Sequence, residues 1–412
     1  MPTYNRADFL DDCLSRTLPE LAAQDRPWEM VISDNGSTDH TAEVVKKHAA
    51  RTPQIRAFRQ PANRGPWANQ VNAYRNARGD VLAYLADDDS MLVEPFLAHV
   101  GRMEREPDLA VIFTDWIAWD DQQGHELHRY FSIKEPAVFA PSDPLGLLNF
   151  VLTRGTSPEI GVFRRQAMCN ARTPFAHVMP FHPWMYALSR EGRVRFDPLA
   201  FYREHRVPRA GLARTHWANM DMQLQLMGDE MRLSLESTLL LALHDAGVTH
   251  LPPDQMEAAR RMIDGFLHAR TSLEIERACA RGDFILAVEL RRRQVLWNGP
   301  GSADDIRRDM SRLVLPAAAL SVGLTYESLS DVGQLRLEGF ASGFLRDFLA
   351  RWRPAIPIAA PDAPPNEADL VVLRDARSPA PPRPRGAREP LVLERLVRLY
   401  RVARDPVDIS GL

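Results

Sequence analysis

The chain has 412 residues, 45% hydrophobic and 25% charged, with a formal net charge of −3. This is enough apolar mass for more than one folded core, and it excludes a disordered chain. The near-balanced charge, with basic residues scattered rather than gathered in a stripe, excludes an electrostatic nucleic-acid binder.

Cys13, Cys169 and Cys279 are odd in number and lack metal-ligand spacing, which fits a reducing compartment and no structural zinc. The nearest approach to an uncharged apolar run is Leu313 to Tyr326, shorter than the roughly 18 residues that a spanning helix needs. The sequence therefore reads as cytoplasmic, with peripheral contact at the inner face of a membrane as the most that it predicts.

From the start to about Arg214, short apolar runs alternate with amphipathic stretches, the pattern of α/β architecture. Trp28 to Ser33 reads as a strand, and Asp39 to Arg51 as a helix with Asp39 as its N-cap. Gln54 to Gln60 is the next strand, Trp67 to Ala77 the next helix, and Asp80 to Ala86 the strand after it. Such a β-α-β-α-β series predicts a parallel sheet with ligands bound beyond the carboxyl ends of the strands. Ala110 to Leu127 reads as a hairpin around Gly124.

From about Asp221 to Arg351 the pattern is helical: Glu230 to Gly247, Met256 to Ala269, and a helical hairpin from Leu273 to Trp297 broken at Gly282. Prolines then recur from Pro354 to Pro365, followed by a strand at Ala368 to Leu373, a second proline-rich piece at Ser378 to Gly386, and an amphipathic helix from Glu389. That last helix either docks on the body of the protein or binds a partner or a membrane surface; docking is the expectation. The predicted domains are 1–215 (α/β), 216–352 (helical) and 353–412 (linker, short strand and terminal helix).

Chemistry concentrates where the strand ending at Ala86 meets Asp87, Asp88 and Asp89. Like charges at a strand end repel one another, which points to a cation among them, and a metal held by two carboxylates keeps open positions for phosphate oxygens. The plainer reading is a solvated acidic turn or a helix cap.

Four motifs occur in order at βα spacing: Pro2 to Arg6, Val31 to Thr41, Asn63 to Asn69 and Ala77 to Asp89. Together they resemble the nucleotide-sugar-binding half of family 2 glycosyltransferases. The resemblance implies a GT-A fold (Rossmann-like, mostly parallel sheet), here followed by an all-α C-terminal region. It implies a nucleotide-diphosphate sugar as donor, Mn²⁺ or Mg²⁺ as cofactor, and inverting transfer to a hydroxyl of a glycan, a lipid-linked precursor or a protein.

Residue by residue, it places Pro2, Thr3, Tyr4 and Arg6 against the nucleobase and gives Asp34 a hydrogen bond to it. Arg64 would lie near the diphosphate, Asp87 and Asp88 at the ribose and diphosphate, and Asp87, Asp89 and His205 at the metal. Trp67 and Trp184 are candidate sugar platforms, set against the commoner fate of such rings in a core.

Two departures stand out. His182 and Pro183 occupy the place of the family's acidic pair, which leaves His182, or Glu159 in the segment Gly155 to Phe163, as the candidate base. The hydrophobic strand that should lead into the Pro2 loop is absent, which leads to the expectation that the native frame begins upstream of Met1. Two rival readings are a catalytically inactive nucleotide-sugar-binding scaffold, supported by the missing pair, and a nucleotidyltransferase, which would need a phosphate loop that Pro2 to Phe9 lacks.

Overall fold

The computed structural model describes residues 1–131, 133–154, 156, 158–171, 181–207, 241, 244, 251–299, 301–340, 342–379 and 389–402. They fall into two compact units, Met1–Ile263 and Asp264–Leu412.

The first unit begins with a parallel ladder of β1 (Pro2–Thr3), β2 (Met30–Asp34) and β3 (Ile55–Arg59), in that order. Every residue of β2 is buried, as a strand covered on both faces requires. Three helices flank the ladder: α1 (Ala7–Ala22), α2 (Thr41–Ala49) and α3 (Pro66–Asn76). Helix α1 buries Phe9, Leu10, Cys13, Leu14, Leu18 and Leu21, an apolar stripe at 3–4 spacing.

Asp39 does not serve as N-cap of α2; His40 stands there. The Asp39 carboxylate accepts from the Thr41 backbone N–H and hydroxyl through Oδ1 and from the Ala7 N–H through Oδ2, so it ties the start of α2 to the start of α1.

Strand β4 (Val81–Ala83) does not extend this ladder. It heads a mixed five-stranded sheet with β6 (Leu109–Thr114), β9 (Ala137–Phe139), β10 (Gly161–Arg164) and β11 (Arg193–Asp197), ordered β4-β10-β6-β11-β9. In the first unit the parallel pairs are therefore β1–β2–β3, β6–β11 and β7–β12, not one continuous sheet. A cavity of about 600 Å³ has Val31 of β2 and Val81 and Leu82 of β4 in its wall. Met1 lies in the same wall, and its terminal ammonium donates to the Val31 carbonyl at 2.9 Å.

A third sheet, β5-β12-β7-β8, joins β5 (Ser90–Met91), β7 (Ile117–Asp120), β8 (His125–Arg129) and β12 (Tyr202–Val207). The expected hairpin around Gly124 is the antiparallel pair β7–β8, while the residues before it, in β6, belong to the five-stranded sheet.

In the C-terminal half, helices span Pro253–Ala280, Phe284–Asn298 and Leu315–Glu327. The first two are separated at Gly282, whose φ of 78° suits glycine and whose missing side chain leaves room for the Trp352 ring. The stretch Glu230 to Gly247 lies outside the described residues apart from 241 and 244.

Helices are not the whole of the second unit, which corrects the all-α expectation. It also holds a parallel sheet of β13 (Gln334–Glu338), β14 (Asp369–Leu373) and β15 (Leu391–Val392). Strand β14 is the expected strand; β13 lies within the stretch read as helical, its five residues too few to reveal their period. The last helix, Leu393–Tyr400, buries Leu393 and Val397 and shares a hydroxyl–hydroxyl bond of 2.7 Å between Tyr400 and Ser321, so it docks within this unit. Among the described residues no helix is long and apolar enough to cross a membrane.

Candidate active site

The loop carrying Tyr4 and Arg6 is fixed by the residues just after β2. Asn5 N donates to Ser37 Oγ at 2.9 Å, Thr38 N to Asn5 Oδ1 at 2.7 Å, and Arg6 N to Thr41 Oγ1 at 3.1 Å. The two motifs therefore make one rigid corner. Asn69, buried on α3, donates to the carbonyls of Thr3 and Ser33 and so ties α3 to both β1 and β2, the Thr3 carbonyl also accepting from Asn35 N at 3.0 Å.

Asp34 closes its own turn by accepting from Ser37 N at 2.9 Å, and its other oxygen lies 3.4 Å from Arg59 Nε. The neighbouring Asn35 holds Asn63, Arg64 and Gly65 through its side-chain amide.

These elements line one side of a pocket of about 890 Å³ that includes Pro2, Thr3, Tyr4, Asn5, Arg6, Asn35, Asn63, Asp87, Asp88 and Asp89. Neither Asp34 nor Arg64 is in its wall: the first is buried beside it, and the second reaches the site only through its backbone N–H. Tyr4 is 38% exposed, an aromatic face available to a planar ligand.

The three aspartates take different parts. Arg6 Nη1 lies 3.2 Å from Asp87 Oδ1 and also bonds Asp88 Oδ2, so one guanidinium bridges two carboxylates. Among the described residues Asp87 Oδ2 is buried without a well-formed hydrogen bond, the Thr3 hydroxyl being a donor beside its carboxylate. Burial pushes the Asp87 carboxyl up to about 6, against the opposing pull of Arg6. Asp89 spends both oxygens on strand β12, accepting from Tyr202 Oη at 2.6 Å and His205 N at 3.0 Å.

His205 does not reach the pocket. Along β12 side chains alternate, and the pocket takes Tyr202, Glu204 and Arg206; Arg203 and His205 face the other way. The His205 ring sits 2.6 Å from Asp121, 2.9 Å from Ser90 Oγ and 3.1 Å from Arg16, and burial holds it down to about 4. The ring is held in an internal network of Asp121, Ser90 and Arg16. Among the described residues no group of three His, Cys, Asp or Glu is arranged to hold a metal. What suits a hard dication is a smaller set, Asp87 and Asp88, with one buried oxygen lacking a well-formed hydrogen bond and a cation already between them.

The opposite wall holds Trp116, Tyr130, Glu159, Ile160, Glu204 and Arg206. Glu159 precedes β10, which is held tightly: Ile160 O accepts from Thr114 N at 3.0 Å, and a Cβ on Gly161 would meet Ile112 O at 2.9 Å. Among the described residues no cation pairs with the Glu159 carboxyl; burial first, and then Glu204, push it up to about 7. Arg206 is drawn to Glu204 at 3.0 Å and to Tyr130 Oη at 2.7 Å.

The helix Phe181–Ser189 includes position 182, but the His182 side chain lies outside the described residues, as do residues 172–180. Trp184 is buried and stacks on Phe163 at 6.2 Å, a core ring, and Trp67 packs edge-on against Phe181. Glu204 and Arg206 escaped the sequence reading, although the two-residue period from Tyr202 marks them.

Residues 1–168 match the family Glycosyl transferase family 2. Over 101 residues the chain is 31% identical to dolichyl-phosphate beta-glucosyltransferase ALG5C of Trichomonas vaginalis, covering 23% of this chain and 30% of that protein. Over 213 residues it is 28% identical to an uncharacterized Mycobacterium tuberculosis protein, Rv1520, covering 49% of this chain and 57% of the other. The chain thus spans from about a third to a little over half of these relatives. Among solved structures, residues 1–349 of TarS from S. aureus align at 17% identity and a TM-score of 0.48, over 79% of this chain and 85% of that one.

Proposed function

We propose, for a chain whose residues 1–168 are a family 2 glycosyl transferase domain, that the pocket binds a nucleotide-diphosphate sugar and passes its sugar, with inversion, to an acceptor hydroxyl deprotonated by Glu159. The observation that supports this reading best is a carboxyl in the same pocket as the acidic turn, with no cation paired to it among the described residues and pushed up to about 7 by burial.

Tyr4 covers the nucleobase and the Pro2–Arg6 corner orients it. Asp87 and Asp88 would hold Mn²⁺ or Mg²⁺, which when bound offsets charge on the departing diphosphate. Glu159 takes the proton as the acceptor oxygen bonds to the anomeric carbon, and the sugar–phosphate bond breaks with its electron pair staying on the diphosphate. Trp116 and Tyr130 give the acceptor an aromatic wall beside Arg206. The acceptor class is a glycan, a lipid-linked precursor or a protein, met in the cytoplasm or at the membrane's inner face.

A second reading, nucleotide-sugar binding without turnover, is favoured by His182 and Pro183 in place of an acidic pair. One comparison separates the two. With UDP-, GDP- and dTDP-sugars and Mn²⁺, Glu159→Gln should lose turnover while His182→Ala keeps it to within tenfold, both still binding nucleotide in a calorimeter. Loss in His182→Ala alone would move the base to His182. Nucleotide binding by the unmutated protein with no turnover of any donor would favour the scaffold.

A further inference from the structure

Arg6 holds an unusual position for a residue expected to touch a base. Its guanidinium lies between Asp87 and Asp88, at 3.2 Å from Asp87 Oδ1 and in hydrogen-bond contact with Asp88 Oδ2. The two carboxylates are 6% and 11% exposed, whereas the Arg6 side chain is 23% exposed at the pocket surface.

We infer that Arg6 is an internal counter-cation of the acidic turn, competing with the divalent ion for the same carboxylates and released toward the diphosphate when that ion binds. This rests on the nucleotide-sugar reading above and adds a positioning role for Arg6.

Charge is the first argument. A single positive guanidinium faces two carboxylates, with Asp89 as a third acid beside them, so a dication balances the turn better than Arg6 does. Geometry is the second. The backbone at Arg6 is pinned by Thr41 Oγ1, and those of Asn5 and Ala7 by Ser37 and Asp39, so displacement moves a side chain and not the loop. Chemistry is the third: a freed guanidinium presents a planar fork of donors that matches phosphate oxygens two at a time.

Competition of this kind makes the metal bind weakly alone and tightly with nucleotide. By linkage, removing the competitor must strengthen binding of the metal alone and shrink the metal–nucleotide coupling.

The test measures free Mn²⁺ by electron paramagnetic resonance during titration of metal-stripped protein with MnCl₂, alone and with UDP, GDP or dTDP. Arg6→Met should bind Mn²⁺ alone at least tenfold more tightly than the unmutated protein, and nucleotide should sharpen its metal affinity less. Arg6→Lys, which keeps the charge, should stay within about threefold of the unmutated protein. Arg6→Gln repeats the neutral substitution should Arg6→Met fail to melt cooperatively. Unchanged or weaker Mn²⁺ binding in the folded neutral variant overturns the inference. A tenfold gain with no nucleotide bound by either protein upholds Arg6 as the competing cation and overturns instead the nucleotide-sugar reading.

Discussion

The two units bury polar groups differently. Among the described residues the second unit buries Gln294, Arg336 and Asp369, and each is fully engaged: Gln294 with His268 O and Ser272 Oγ, Arg336 with Asp369 and the carbonyls of Ala363 and Pro364. The first unit buries a much longer series, among them Asp34, Asn35, Asn69, Asp87, Asp89, Asp115 and His205. Most are paired, yet among the described residues Asp87 keeps an oxygen without a hydrogen bond, and no cation pairs with Glu159. Satisfied burial staples a fold, while burial left short of a partner stores reactivity and costs stability.

Substitutions can break or sharpen that contrast, and the largest effect belongs to Glu159. Glu159→Gln is expected to lower kcat by about 10²–10⁴-fold. With Glu159 as the proposed base, kcat/KM of the unmutated protein should climb with pH through about 7 and level off above it, because a base works only when deprotonated. A rate profile flat from pH 5 to 9 would remove Glu159 from that role.

Next comes the staple. Arg336→Met leaves the buried Asp369 carboxylate without its guanidinium and should destabilise the protein by about 3 kcal/mol in urea unfolding. Turnover per folded molecule should not change; a variant that melts normally but turns over slowly would tie this unit to the chemistry.

A smaller effect has the opposite sign. With its carboxyl raised from the usual range to about 7, folded Glu159 binds a proton that the unfolded chain has released, so stability falls as pH rises from about 4.5 to 7. Glu159→Gln should therefore be more stable than the unmutated protein at pH 8, by on the order of 1–3 kcal/mol, with the gain gone below pH 4.5. Melting curves at the two pH values check it, and equal stability at both would mean that the group is not raised.

The smallest belongs to the corner. Asp39→Ala removes acceptors for Ala7 N, Thr41 N and the Thr41 hydroxyl. It should cost about 1 kcal/mol of stability and weaken nucleotide binding several-fold by loosening Tyr4 and Arg6. Calorimetry showing unchanged affinity would separate the corner from the binding site.

Much of the first unit was legible because its signals are local. The apolar run of β2, the amphipathic stripe of α2, and the turn at Gly124 all sit within a dozen residues of sequence, whereas helix α1 was not read from it. The acidic turn was legible for the same reason. The second unit's sheet was not, since Gln334–Glu338 becomes a strand only by pairing with Asp369–Leu373, more than thirty residues away.

His205 shows the limit most clearly. Its sequence context drew attention to the ring, but the pairing of Tyr202 with Met91 and Arg203 with Ser90 fixes the face that each residue of β12 presents. One step of register decides that Glu204 and Arg206 meet the pocket and His205 meets Asp121.

By itself, then, the sequence determined the alternation of strands and helices in the first half, the motifs that carry the family likeness and the existence of an acidic turn, because each depends on periodicity or on neighbours along the chain. Tertiary structure alone decided that Arg6 lies between Asp87 and Asp88, that Asp89 is spent on β12, and that Glu159 stands in the same pocket with no cation paired to it among the described residues. Charge and solvation at those positions depend on groups scores of residues apart, brought within a few ångströms only when the sheets have formed.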